Sequence, residues 1–306
     1  MGRPGKSSFL IWAEYLGALP FLLLCKVSPY WLSLGVSRWL GWLAYLINRS
    51  GRKVAMINLG IAFKGSLSKR QTRRITRNAF ISFGMTLGEL TYFLNRPGDA
   101  LVKRTDCSRP EIFETALRRG QGVIVCSAHF SNWYWPVMYG ASLGLPQNVV
   151  VRPLDNPKLD RWMNRILERR GIKPLPRKRS VRPVIAALQR GETLGLMVDQ
   201  NAAVGGRFVS FFGTSASTMR GVAVFRRLTG AEVICVHHLR ERGSGRHRIV
   251  VSGPFELPDD EGSALQCIND HFEEVIREHP DLYLWIHPRW KRRPGCEATL
   301  YPGLRI

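Results

Sequence analysis

Residues 123–135 read VIVCSAHFSNWYW, the pattern of a buried strand running into a turn. A short β-branched run leads to His129, and Asn132 follows as a residue suited to opening a helix. Strands buried on both faces read this way, with the histidine at the carboxyl end. Comparable runs recur at VVV (149–151), LGLMV (194–198), EVICV (232–236), RIVVS (248–252) and LYLWI (282–286). Helix-like stretches at 158–170, 181–190, 218–229 and 263–278 lie between several of them. The alternation predicts an α/β fold with a mostly parallel or mixed central sheet flanked by helices.

In open α/β sheets the ligand site lies beyond the carboxyl ends of the strands. The residues that follow the runs are His129, Arg152-Pro153, Asp199-Gln200, His237-His238 and His287-Pro288-Arg289. A neutral imidazole such as that of His129 can take a proton from an alcohol, because its pKa lies near the working pH. The plainer reading of a lone histidine at a strand end is structural, and only the neighbouring strand ends favour a site. His237 and His238 point to opposite faces of a strand and are assigned no role. Upstream, Ser66 or Ser68 is placed to cap a helix running through Glu89, with Ile75, Ala79, Phe83 and Leu87 recurring every four positions.

The amino-terminal region has a different character. FLIWAEYLGALPFLLLC (9–25) and the apolar run 31–47 hold four tryptophans, at 12, 31, 39 and 42, beside Tyr15, Tyr30 and Tyr45. Neither run is a clean span of about 20 apolar residues, but the aromatic content suits a membrane interface. Arg3 and Lys6 precede the first run with no small-residue cleavage site after it, which predicts an uncleaved anchor over 1–48. From Arg49 to Arg77 nine Lys or Arg occur without an Asp or Glu, as expected beside an anionic leaflet, the plainer alternative being a solvated helix face. No Gly/Ser/Pro-rich linker divides residues 49–306, which read as one domain.

Across 306 residues, 45 Lys and Arg stand against 23 Asp and Glu, a net charge of +22. Such a surface attracts acidic partners. Nucleic acid is the obvious one, yet zinc-finger spacing, ribonucleoprotein aromatics and a basic region with heptads are all missing. Six cysteines, at 25, 107, 126, 235, 267 and 296, form no Cys-x-x-Cys pair, so neither a metal site nor a redox motif is expected. Their apolar settings predict reduced, buried thiols.

Eight blocks, in order, carry a resemblance. They are the apolar amino terminus, RKVAMINLGIAF (52–63), HFSNW (129–133), RPLDNP (152–157), LERRGIKPLPRK (167–178), MVDQN (197–201), FFGTSAST (211–218) and HPDLYLWIHPRWKRRP (279–294). The chain resembles the late acyltransferases of lipid A biosynthesis, the lauroyl and myristoyl transferases, within the wider lysophospholipid acyltransferase superfamily. The resemblance implies a glycerolipid-acyltransferase-like fold bound to the cytoplasmic face of the bacterial inner membrane. It implies transfer of a fatty acyl chain from a thioester on acyl carrier protein, or from acyl-CoA, to a hydroxyl of a lipid A precursor or a related glycolipid or aminolipid. His129 would be the general base, and no cofactor beyond the thioester co-substrate is implied. Arg152, Arg169 and Arg177 align with positions expected near an anionic head group, Gln200 and Arg289 with the same rim. Phe211 and Phe212 would line the acyl channel or dip into the bilayer, while Ser217 or Thr218 reads as a helix cap.

One position departs from the family pattern. The motif histidine is usually followed, five positions on, by Glu or Asp, and here that position is Tyr134. A phenol hydrogen-bonds but carries no charge at neutral pH, so it does not stabilise an imidazolium as a carboxylate does. Either Asp199 supplies the carboxylate from a separate strand, or the chain is a lipid-binding pseudoenzyme without turnover. Glu89 and Glu192, the remaining acids near apolar segments, read as surface or cap residues.

Overall fold

The computed structural model describes residues 7–177, 180–241, 243–295 and 299–304. Arg3, Lys6 and Cys296, used in the sequence reading, lie outside the described residues. Five helices come first: α1 (Ser8–Val27), α2 (Tyr30–Ile47), α3 (Arg49–Ala62), α4 (Lys69–Leu94) and α5 (Gly98–Val102). Strands and helices then alternate as β1 (Thr105–Ser108), α6 (Pro110–Arg118), β2 (Val123–Ser127), α7 (Trp135–Ser142), β3 (Gln147–Val151), α8 (Pro157–Arg169), β4 (Ile172–Pro176), α9 (Val181–Gln189) and β5 (Thr193–Met197). A hairpin, β6 (Arg207–Phe211) and β7 (Thr214–Thr218), precedes α10 (Gly221–Thr229), β8 (Glu232–Arg240), β9 (His247–Ser252) and α11 (Glu261–Glu278).

Seven strands form one sheet in the order β1-β9-β8-β2-β5-β3-β4, parallel throughout except between β8 and β9. The expected α/β fold is therefore present. Alternate side chains feed two cores, as the strand period of two requires. Ile124, Cys126, Leu194, Leu196, Val233 and Cys235 face the side packed with Val184, Val222 and Ile268. Val123, Val149, Ile234, Val236, Ile249 and Val251 face the side packed with Phe93, Trp135 and Ile166.

Several local expectations are corrected. LYLWI (282–286) is not a strand: a 3-10 turn over Pro280–Leu282 leads into a single bridge between Phe130 and Tyr283. β4 escapes a propensity reading because its sequence is IKPLP, and it is tolerated as the outermost strand, where proline's missing donor is harmless. Phe212 and Gly213 both have positive φ, 53° and 73°, and form the two-residue turn of the β6–β7 hairpin. Phe211 and Phe212 are consequently core residues, packed with Trp290 and Trp285, and touch neither channel nor bilayer. Ser217 and Thr218 end β7 and do not cap α10. Ser68 caps α4 in a reciprocal box with Gln71, and the helix runs five residues past Glu89 because Leu90, Phe93 and Leu94 continue its buried face. Cys25, Cys126 and Cys235 are buried free thiols, but Cys267 is exposed on α11 and Cys107 half-buried.

Among the described residues α1 is the helix long and apolar enough to cross a membrane, and of its side chains only Cys25 is buried. α2 is attached differently. Ser33, Ser37 and Gly41, four apart, face α4 at Gly84 and Gly88. A Cβ on Gly84 would stand 2.5 Å from the Ser37 carbonyl oxygen, and one on Gly41 2.7 Å from that of Phe80. Small residues at this spacing let two helix backbones approach closely. Trp31, Trp39 and Trp42 project from the other side of α2 and are exposed, as is Trp12 on α1.

Candidate active site

Register brings the site together. β2 and β5 are parallel neighbours with Ser127 opposite Met197, so His129 and Asp199, each two residues further on, emerge side by side. His129 Nδ1 lies 2.8 Å from Asp199 Oδ1, and the His129 backbone N–H donates to Asp199 Oδ2 at 3.0 Å. The turn carrying His129 is held from below as well, since its carbonyl accepts from Leu284 N–H at 2.9 Å.

Burial alone would raise the Asp199 pKa, but the facing His129, the two hydrogen bonds from that residue and the nearby Arg289 outweigh it and hold the carboxyl at about 2. An ionised Asp199 fixes the His129 tautomer with the proton on Nδ1 and leaves Nε2 as the lone-pair nitrogen. Gln200 Nε2 sits 3.1 Å from that nitrogen, so its amide donates to the lone pair. The result is an imidazole oriented by a carboxylate, with its second nitrogen facing a cavity.

The cavity is about 1180 Å³, larger than the roughly 300–1,000 Å³ of drug-sized ligand pockets. His129, Gln200, Tyr134 and His287 line its polar part. From there it extends between the sheet and helices α6 and α7, past Val125, Phe113, Leu117, Tyr139, Leu143 and Val251. Arg152 and Arg177 also line it, and register again explains why: Val151 pairs with Pro176, so the next residue of each strand stands at the same edge. Both are exposed, and Arg152 pairs with Asp155 at 2.9 Å. Arg220 and Lys291, absent from the sequence-based set, join them in the lining.

Not every expected residue reaches this place. Arg169, at the end of α8, is exposed and does not line the cavity. Arg289 is 1% exposed, with Nη1 donating to the Ser217 carbonyl at 2.7 Å and Nη2 to Thr218 Oγ1 at 2.6 Å, so it is a buried cation behind Asp199 and not a rim residue. Asn132 is fully buried. Its Oδ1 accepts the Tyr134 backbone N–H at 3.1 Å, its Nδ2 donates to Glu89 Oε2 at 3.0 Å, and it supports the turn without touching the cavity. Glu89, expected at the surface, is 1% exposed and gripped by Arg240 at 2.6 and 2.7 Å. Glu192 is half-buried, paired with Arg190 and Asn148 at the amino-terminal end of β5, away from the site. Tyr134 is half-buried in the cavity wall, where burial raises its pKa and keeps the phenol protonated. His287 is a site residue the sequence reading left unassigned; burial lowers its pKa to about 4, and its Nε2 accepts the Asn201 N–H at 3.0 Å.

A histidine–aspartate pair stands at the mouth of a long, largely apolar cavity, and sequence comparison gives the class: the chain is an acyltransferase. It belongs to the bacterial lipid A biosynthesis acyltransferase family, whose pattern matches residues 5–292. It is similar to the lipid A biosynthesis palmitoleoyltransferase of Escherichia coli strain K12, 28% identical over 295 residues, covering 95% of this chain and 94% of that one. The lipid A biosynthesis lauroyltransferase of the same strain is 26% identical over 299 residues, with 95% of each chain covered. A lipid A biosynthesis acyltransferase of Haemophilus influenzae is 24% identical over 282 residues, 90% of this chain and 86% of its own.

Proposed function

We propose that this acyltransferase moves a fatty acyl chain from an acyl thioester, carried by acyl carrier protein or as acyl-CoA, to a hydroxyl of a lipid A precursor or a related glycolipid or aminolipid. The observation that carries the reading is the His129–Asp199 pair at the mouth of an apolar cavity. The acceptor hydroxyl displaces the Gln200 amide from His129 Nε2, which takes the proton as the oxygen attacks the thioester carbonyl. The tetrahedral intermediate collapses, the carbon–sulfur bond breaks, and the imidazolium returns its proton to the departing thiolate. Asp199 stabilises that imidazolium, the part a carboxylate at position 134 would otherwise play. Tyr134 therefore does not force a reading without turnover.

The fatty chain has room between the sheet and α6–α7, and Arg152 and Arg177 stand where an acceptor phosphate would meet them. A net charge of +22 suits both an acidic carrier protein and an anionic leaflet. Placement at the cytoplasmic face of the inner membrane is supported by α1 and by the mouth itself. Leu154, Val181 and Val204 are exposed lining residues there, and Asn156, two residues after Leu154, donates to Ile11 O of α1 at 2.9 Å. The boundary between anchor and domain that we propose, near residue 48, is the start of α3.

The test is acyl transfer by purified protein, with labelled acyl carrier protein thioester and a bacterial lipid extract, read by lipid mass spectrometry for wild type and His129→Ala. A new acylated lipid with wild type alone is the expected result. Equal product from both proteins removes His129 from the mechanism.

A further inference from the structure

Behind the catalytic turn lies a chain of buried polar groups that the reaction does not use. Asn132 N–H donates to His238 Nδ1 at 3.0 Å; His238 Nε2 lies 2.8 Å from His247 Nδ1; His247 Nε2 lies 3.0 Å from the Tyr30 hydroxyl; and Tyr30 donates to Glu89 Oε1 at 3.2 Å. Glu89 closes the circuit, since its other oxygen accepts from Asn132 Nδ2 at 3.0 Å and both are held by Arg240.

The direction of each hydrogen bond follows from the first. A backbone N–H only donates, so His238 Nδ1 carries the lone pair and His238 Nε2 the proton. His247 Nδ1 is then an acceptor and His247 Nε2 a donor to the Tyr30 oxygen, which leaves the Tyr30 proton for Glu89. Burial keeps both imidazoles neutral, lowering His247 to about 4 and His238 well below its usual value. Burial opposes ionisation of Glu89, but Arg240 beside it wins and keeps the carboxylate charged.

What the chain holds is a strained backbone. Ser131, two residues from His129, has φ 49°, which is strained for a residue with a Cβ and persists only where the surroundings over-determine it. Here they do: its N–H donates to Leu282 O at 2.8 Å, its carbonyl accepts from Thr86 Oγ1 at 2.8 Å, and its hydroxyl meets His238 Nδ1 at 3.0 Å. A closed polar network of this kind is a costly way to obtain stability, because well-packed apolar residues do as well or better. Its yield is a single geometry for the turn.

We propose that Tyr30, His238 and His247, anchored by the Glu89–Arg240 pair, are positioning residues that fix Ser131 and Asn132, thereby hold His129 against Asp199, and tie the catalytic turn to helix α2. The proposal rests on the reading of His129 as the base. Tyr30 is the link to test. It is the first residue of α2, and Tyr30→Phe keeps the ring on Tyr92, Phe93 and His247 while deleting only the hydroxyl between His247 and Glu89.

Steady-state acyl transfer should show kcat of Tyr30→Phe lowered by about tenfold, as a small misplacement of a base requires, with KM for thioester and lipid within about twofold. A folded Tyr30→Phe with wild-type kcat, or with only KM changed, overturns the proposal. Nitrogen-15 spectra of histidine-labelled wild type, which need no variant to fold, should show His238 and His247 both protonated on Nε2. A proton on Nδ1 of His238 overturns the relay. Turnover retained by His129→Ala would remove the base reading alone, and the histidine spectra would still decide the network.

Discussion

Two carboxylates lie near the HFSNW turn, and they differ in their partner. Asp199 meets a histidine whose side chain is 14% exposed and whose second nitrogen looks into the cavity. Glu89 meets an arginine whose side chain is 9% exposed, inside a network that does not line the cavity. In the proposed mechanism the first pair exchanges a proton with the acceptor hydroxyl. The second has a permanently charged cation, so it organises structure and takes no part in proton transfer. Proximity to His129 alone therefore does not assign an acid to the proposed chemistry; its partner and its access to the cavity do.

The comparison is broken most severely at the first pair. His129→Ala should remove turnover, a loss of about 10²–10⁴ for a positioned base, with folding retained as judged by circular dichroism. Next comes the second pair. Glu89→Gln leaves a buried Arg240 without its counter-charge and should destabilise the fold by about 3–5 kcal/mol, read as a lowered midpoint in denaturant unfolding. Gly84→Ala, which drives a methyl against the Ser37 carbonyl, should cost about 1–3 kcal/mol in the same measurement and loosen α2 from α4. Smaller still, Arg152→Ala with Arg177→Ala should raise KM for a phosphorylated acceptor by about tenfold and leave kcat near wild type.

The first pair also has a pH signature. The Asp199 pKa is depressed in the folded state, to about 2 from an ordinary 3.8. Its stabilisation is present above the higher value and is lost as pH falls towards the lower one. Stability of wild type should thus decline between about pH 4 and 2 more steeply than that of Asp199→Asn, measured by denaturant unfolding across that window.

How much of this was legible in the sequence follows from where the signal is local. The strand runs at 123–127, 194–198 and 232–236 announced a sheet because β-branched residues buried on both faces leave an uninterrupted apolar pattern. The pairing of His129 with Asp199 could be suspected from two strand ends, but only parallel register makes them neighbours. Arg289 misled because a strand was expected before it; without that strand the arginine turns inward onto Ser217 and Thr218. Glu89 misled for a related reason. A lone acid on an amphipathic helix looks solvated until Arg240, 151 residues away in sequence, is placed over it. The α2–α4 contact was equally hidden, because small residues four apart stand out only once both helices are seen together.

The most direct test of the central claim, that Asp199 and not the residue at motif position 134 orients His129, is kcat for Asp199→Asn beside Tyr134→Phe in the same acyl-transfer assay. The expected loss is about 10²–10⁴ for the first and less than about tenfold for the second. Near-normal turnover in Asp199→Asn with turnover lost in Tyr134→Phe would contradict that claim.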